Sequence, residues 1–177
     1  YFFVILICFS FLKSTPWGFY AHKEINYLAS FTLPEEMFGF YKANIDYIRA
    51  FATRADQRRY VIEDEAPKHY IDLDHYEMII PIDTMPHRWD SAVDKYGENT
   101  LLEYGIVPWH INSVLAWLTK AMKERDYERI IKLSADLGHY IGDAHVPLHT
   151  TENYNGQLTN QKGIHGLWES RLPEIFA

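Results

Sequence analysis

The feature that most constrains this chain is a tandem of apolar stripes in its second half. Ile111, Leu115, Leu118 and Met122 recur at three- and four-residue intervals, and after Arg125-Asp126 a second set, Ile130, Ile131, Leu133 and Leu137, runs on toward His139. This is the spacing of helix faces, not of strands. The same period appears earlier. Ile25, Leu28 and Ala29 mark a helix over 22–30, and Pro34-Glu35-Glu36 is a good first turn for one helix carrying Phe38, Tyr41, Ile45 and Ile48. A break is expected from Thr53 to Arg59. Residues 61–90, punctuated by Pro67, Pro81 and Pro86, read as loops around short elements, with helix resuming at Trp89–Tyr96. No alternating strand pair joined by a two-residue turn occurs, and no internal repeat. The expected class is all-α.

Composition narrows the class further. Over 177 residues, 47% hydrophobic and 16% aromatic content is enough to bury one compact core and excludes a disordered chain. The net charge of -7 gives no global attraction to nucleic acid or anionic membrane, although bound cations would reverse the sign locally. The opening YFFVILICFSFL, followed by Lys13, is too short to span a bilayer and fits the apolar stretch of a secretory signal. A buried N-terminal strand is the other reading of such a run. On the signal reading, residues 1–16 are removed on export to the periplasm or the exterior, and Cys8 goes with them. The rest of the chain then has no cysteine, which excludes disulfides and thiolate zinc sites. The chain starts without Met and stops at Ala177 on what reads as continuing helix. Residues 17–177 are therefore expected to be a single domain, incomplete at its C-terminus.

The stretch LGHYIGDAHVPLHTT, residues 137–151, concentrates metal-binding chemistry. On a helix, His139 and Asp143 lie one turn apart on one face and can reach the same ion, and Gly138 and Gly142 would admit close backbone approach. Pro147 ends the helix, so His149 can point into the same cleft from another direction. Taken alone, a His-x3-Asp pair is equally an ordinary i,i+4 contact. His165 and Glu169, in IHGLWES, repeat the spacing among apolar neighbours, where unpaired polar groups are costly. Asp56 in RADQRRY, His69 in APKHYIDLD and His22 offer further N and O donors. Zinc suits such a mixed imidazole and carboxylate set.

The ordered series Trp17, His22, Asp56, His69, HYIGDAHVPLH and HGLWE resembles the zinc-dependent single-strand-specific nucleases of fungi and plants, which are related to the bacterial zinc-dependent phospholipases C. The resemblance runs from Trp17 to about Pro173. It implies the multi-helix zinc phosphoesterase fold and a three-zinc cluster. One zinc would be held by Asp56, His69, His139 and Asp143. Asp143 would bridge to a second, held by His22 and by the amino group and carbonyl of Trp17 once cleavage exposes them. The third would take His149, His165 and Glu169. Pro16 stands where a small residue normally precedes the scissile bond.

The implied chemistry is phosphoester hydrolysis by a water shared between the bridged zincs, with the third zinc on the leaving oxygen. Arg59 matches a basic residue that neutralises the phosphoryl oxygens, and is otherwise a solvated arginine. Asp72 matches an aspartate at the attacking water, or else orients a ligating histidine. Tyr70 either stacks a base or packs in the core. His75, His87, His110 and His145 match no ligand. A secreted nuclease or 3′-nucleotidase acting on single-stranded nucleic acid or nucleotides is the leading expectation. A phospholipase C acting on lipid head groups, and a non-catalytic zinc-binding domain, are the alternatives. The adjacent His-Asp pair of another helical metal phosphohydrolase class is absent from the sequence. No obligate protein partner is implied, and a monomer is expected.

Overall fold

A computed structural model of the chain describes residues 18–76 and 84–176. The expected signal segment 1–16 with Cys8, the ligand position Trp17, Pro81 and Ala177 lie outside the described residues. Among the described residues the fold is all-α, with ten α-helical segments and no strand.

The two apolar stripes become α7 (Val107–Glu124) and α8 (Tyr127–Ala144), a helical hairpin that packs along its length. Arg125 turns the chain in the left-handed region (φ 55°), and the Asp126 side chain accepts the Arg129 N–H at 3.1 Å to cap α8. The stripe on α7 is rotated from the expected one. Leu115 is 49% exposed, and the buried face runs through Val107, Val114, Leu118 and Ala121, with Ile111 partly buried beside it. Spacing by three and four is satisfied by either face, and Trp109 at 5% exposure marks the side that wins.

Three further corrections fall before α7. The single helix expected after Pro34 is two, α2 (Glu35–Ala43) and α3 (Ile45–Phe51). They meet at Asn44 (φ -116°, ψ 14°), whose side-chain amide donates to the Phe40 carbonyl at 2.8 Å and competes with the helix ladder. The expected break at Thr53 to Arg59 is instead a short helix, α4 (Arg54–Arg58), whose buried Ala55 anchors it in the core. After α5 (Trp89–Tyr96) comes an unforeseen α6 (Glu98–Tyr104), bounded by Gly97 and Gly105 at positive φ.

Gly105 does more than end α6. A β-carbon there would sit 2.2 Å from the Tyr70 carbonyl oxygen, so glycine is what lets this turn lie against 67–72. Ile106 N donates to Pro67 O, Asp72 N to Tyr104 O (2.7 Å each) and, from the other side, Ile71 N to His149 O at 2.9 Å. The backbone around His69 is thus clamped between two segments. On the far face of α8 lie α3 and α1 (Phe19–Ala29). The Gly138 and Gly142 positions admit side chains of α1 and not backbone: Asn26 fills the space at Gly138 and donates to Ala135 O at 3.0 Å, while the His22 ring lies over Gly142. The described chain ends in a continuous helical run, α9 (Ile164–Gly166), a wider π turn (Leu167–Arg171) and α10 (Leu172–Phe176).

Candidate metal centre

Six separate pieces of chain deliver their polar side chains to one region. α1 brings His22, α4 brings Asp56, the 3₁₀ turn Glu63–His69 brings His69, and α8 brings His139 and Asp143. The C-terminal pieces bring His149, on the turn Pro147–Thr150, with His165 and Glu169. These residues form three groups whose potential donor atoms lie within 4.8 Å of one another: His22, Asp56 and His139; His69, His139 and Asp143; and His149, His165 and Glu169. All but Asp56 are buried. Every metal position named from the sequence and described by the structure is therefore in one of the three groups.

Asp143 is the hub. Its Oδ2 lies 2.8 Å from His69 Nδ1 and 3.3 Å from His139 Nε2, and its Oδ1 lies 3.2 Å from His22 Nε2. Asp56 stands back, its Oδ1 3.8 Å from both His69 Nδ1 and His139 Nε2. In the other group, Glu169 reaches His149 Nε2 at 2.8 Å and His165 Nε2 at 2.9 Å with its two oxygens. The groups adjoin, since His149 Nε2 is 4.0 Å from Asp143 Oδ1.

Burial and charge set the protonation states. Burial alone would raise the Asp143 carboxyl, but His139, His22 and His69 hold it well below the usual carboxylate range. Burial likewise opposes the charged His149, yet Glu169 and Asp143 overcome it and push His149 up to about 9. Glu169 itself is driven down to about 2, as His149 and His165 outweigh its desolvation. Burial dominates at His69 and lowers its pKa.

The donor set fits a cation. Within the Glu169 group, His149 Nε2 and Glu169 Oε1 are buried without a hydrogen-bond partner. His149 Nε2 and Glu169 Oε1 are close but not aligned to share a proton well, an arrangement that an ion between them would satisfy. Three histidines are held by their other nitrogen: His139 Nδ1 meets the Ala52 carbonyl at 2.8 Å, His165 Nδ1 meets Tyr154 O at 3.1 Å, and His149 Nδ1 meets His69 O. Donating Nδ1–H to a carbonyl leaves the Nε2 lone pair turned to the centre, the usual backing of a ligating histidine.

The centre opens on a cleft of about 590 Å³ walled also by Arg59, Tyr60, Tyr70, Asp72, Leu148 and Tyr154. The Arg59 side chain is 44% exposed, with Asp56 its nearest carboxylate at 3.7 Å. Burial and the neighbouring Asp74 push Asp72 up to about 6. Tyr70 donates to Glu103 O at 3.1 Å and lines the cleft. The histidines set aside lie elsewhere in role: His145 is exposed and bonded to Ile141 O, His75 stacks on Tyr104 and pairs with Glu152, His110 packs edge-on against Tyr140, and His87 lines a separate apolar cavity.

One set of residues went unnoticed in the sequence. Behind His69 and His139, Glu65 accepts from Arg58 Nε at 3.1 Å, Lys68 Nζ at 2.8 Å and the Tyr140 hydroxyl, while Arg58 also reaches Asp136 at 3.1 Å. Burial alone would raise Glu65, but Lys68, Tyr140 and Arg58 bring it down to about 2. A signal was present, for Glu65 precedes His69 by the same one-turn interval as the two pairs singled out from the sequence.

Comparisons of the chain with protein-family models, with curated proteins and with solved structures find no match.

Proposed function

We propose that this chain is a zinc-dependent phosphoester hydrolase, an exported nuclease or 3′-nucleotidase acting on single-stranded nucleic acid or nucleotides. The observation that carries the reading is the convergence on Asp143 of imidazoles from three distant segments, at the floor of a cleft rimmed by an arginine and tyrosines. Imidazole and carboxylate donors without thiolate suit zinc. His22, Asp56, His69, His139 and Asp143 would hold up to two ions and His149, His165 and Glu169 one more. Zinc bound there would supply Lewis acidity and a water acidified toward neutral pH.

The chain's own residues supply the rest. The Arg59 guanidinium neutralises charge on a phosphoryl oxygen. Asp72, titrating at about 6, takes or returns a proton at its carboxylate near neutral pH. Tyr70 and Tyr154 line the cleft wall, and tyrosine rings there can stack an unpaired base. A second reading, a phospholipase C, is favoured by one feature: Tyr60 and Val61, 73% and 82% exposed, place apolar surface at the same rim.

The test measures zinc content, then product release from single-stranded DNA, a 3′-nucleotide and phosphatidylcholine with and without zinc. Three ions and zinc-dependent cleavage of the nucleotide substrates is the expected result. Cleavage of lipid alone would assign the second reading, and three ions with no cleavage would leave a zinc-binding module.

A further inference from the structure

The Arg58–Glu65–Tyr140 network sits against the centre, and its members come from the elements that carry the ligands around Asp143. Arg58 is two residues from Asp56 on α4, Glu65 is one turn before His69, and Tyr140 and Asp136 share α8 with His139 and Asp143. Glu65 is 2% exposed, and the cost of burying its carboxylate is offset by Arg58, Lys68 and Tyr140.

His69 is also the exception among the histidines. Where His139, His149 and His165 turn Nδ1 to a backbone carbonyl, His69 turns Nδ1 into the centre, toward Asp143, and its Nε2 away from it. That Nε2 is buried and has no hydrogen-bond partner, and Glu65 Oε1 stands 3.9 Å from it. The separation is an ion-pair distance, about 1 Å longer than a hydrogen bond.

We infer that Glu65 is a positioning residue that takes the Nε2–H of His69, fixing the tautomer in which Nδ1 is the ligating nitrogen. The inference rests on the zinc-loaded centre proposed above. A carboxylate behind a ligating histidine locks its ring and raises its basicity, and losing one typically weakens metal binding about 10- to 100-fold. Arg58, Lys68 and the Tyr140 hydroxyl hold the Glu65 carboxylate at its post without competing for the histidine proton, because all three donate to it. Tying these donors to α4 and α8 makes the orientation of His69 depend on the elements that bring Asp56, His139 and Asp143.

The test reads zinc and the His69 ring, not turnover. The full chain is loaded with zinc and its ¹⁵N-labelled imidazoles are observed by NMR. His69 is expected to show Nδ1 bound and a slowly exchanging proton on Nε2, while His139, His149 and His165 show the reverse. In a chelator competition, Glu65→Gln is expected to weaken one zinc about 10- to 100-fold and leave the His149–His165–Glu169 ion in place, whereas Tyr41→Phe, which removes a hydroxyl bonded to Ser134 on α8 outside this network, keeps wild-type zinc affinity. Nε2-ligated His69 would overturn the inference, as would wild-type affinity in Glu65→Gln or an equal loss in Tyr41→Phe, and in each case the zinc reading survives. A wild-type chain that takes up no zinc overturns both.

Discussion

The two halves of the centre are built in opposite ways. The Asp143 group draws on α1, α4, the turn before His69 and α8, and it is braced from behind by the Arg58, Glu65 and Tyr140 interactions. The Glu169 group comes from the C-terminal pieces alone. Its two histidines are anchored through backbone carbonyls, one of them in the exposed loop that connects them. Both groups are buried, but the first is braced by the helices of the core, while the second hangs on the turns and loop that follow α8. Their dependence on metal should differ accordingly.

The largest effect is expected at the hub. Asp143→Asn removes the carboxylate that joins His22, His69 and His139, so metal analysis should find both ions of this half lost and the Glu169 ion kept. Breaking a buried ionic group by removing one partner costs about 3–5 kcal/mol, readable by urea unfolding of the metal-free chain. Equal loss from both halves would show that they are one unit.

A smaller effect, of opposite location, is expected from pH. With metal removed, the raised His149 contributes stability that is full below its ordinary value of 6.5 and lost as pH climbs through about 9. The lowered Glu169 contributes stability present above its ordinary 4.5 and lost as pH falls through about 2. Thermal unfolding in chelator should therefore show the pair's contribution greatest between 4.5 and 6.5. Glu169→Gln should flatten that dependence, and an unflattened curve would place it elsewhere in the molecule. Because zinc needs the unprotonated imidazole, affinity at this half should rise with pH.

The smallest effect separates the halves most finely. In Gly142→Ala the new methyl would lie 3.1 Å from His22 Nδ1, close enough to displace the ring by a few tenths of an ångström. Alanine is the better helix former by about 1 kcal/mol, so the metal-free chain should not lose stability. Zinc affinity in the Asp143 half should nevertheless fall, by about tenfold for a disturbed support, with the Glu169 half untouched. A uniform fall, measured by the same competition, would break the distinction.

What the sequence reveals follows the same division. One-turn pairs such as His139–Asp143 and His165–Glu169 are local, and helical spacing is enough to expose them. The all-α class is legible for the same reason, since α7 and α8 repeat their apolar residues at helical intervals. Which face of α7 turns inward is not legible, because Leu115 and Val114 fit the period equally and only packing against α8 decides. Asp56 looked like part of a break because five residues are too short to show a period, and α4 is held by core contacts of Ala55. The glycines of α8 suggest close approach of backbone, but side chains of α1 occupy the space. That Asn26 and His22 fill it depends on where α1 lies, which local pattern does not encode.

The π turn at Leu167–Arg171 sets a rule about length. It carries one residue more per turn than an α-helix would, and that residue is what lets Glu169 span His149 and His165 while Ser170 accepts the Gly18 N–H at 2.9 Å at the head of α1. Deleting Leu167 or Trp168 would tighten the turn to an ordinary α-helix and shift Glu169 and Ser170 by up to about 100° around the axis relative to His165. Glu169 would leave its histidines, and Ser170 would release the start of the helix that bears His22. Leu167 and Trp168 are exposed and can be substituted, but neither can be removed without unfastening both halves of the centre at once.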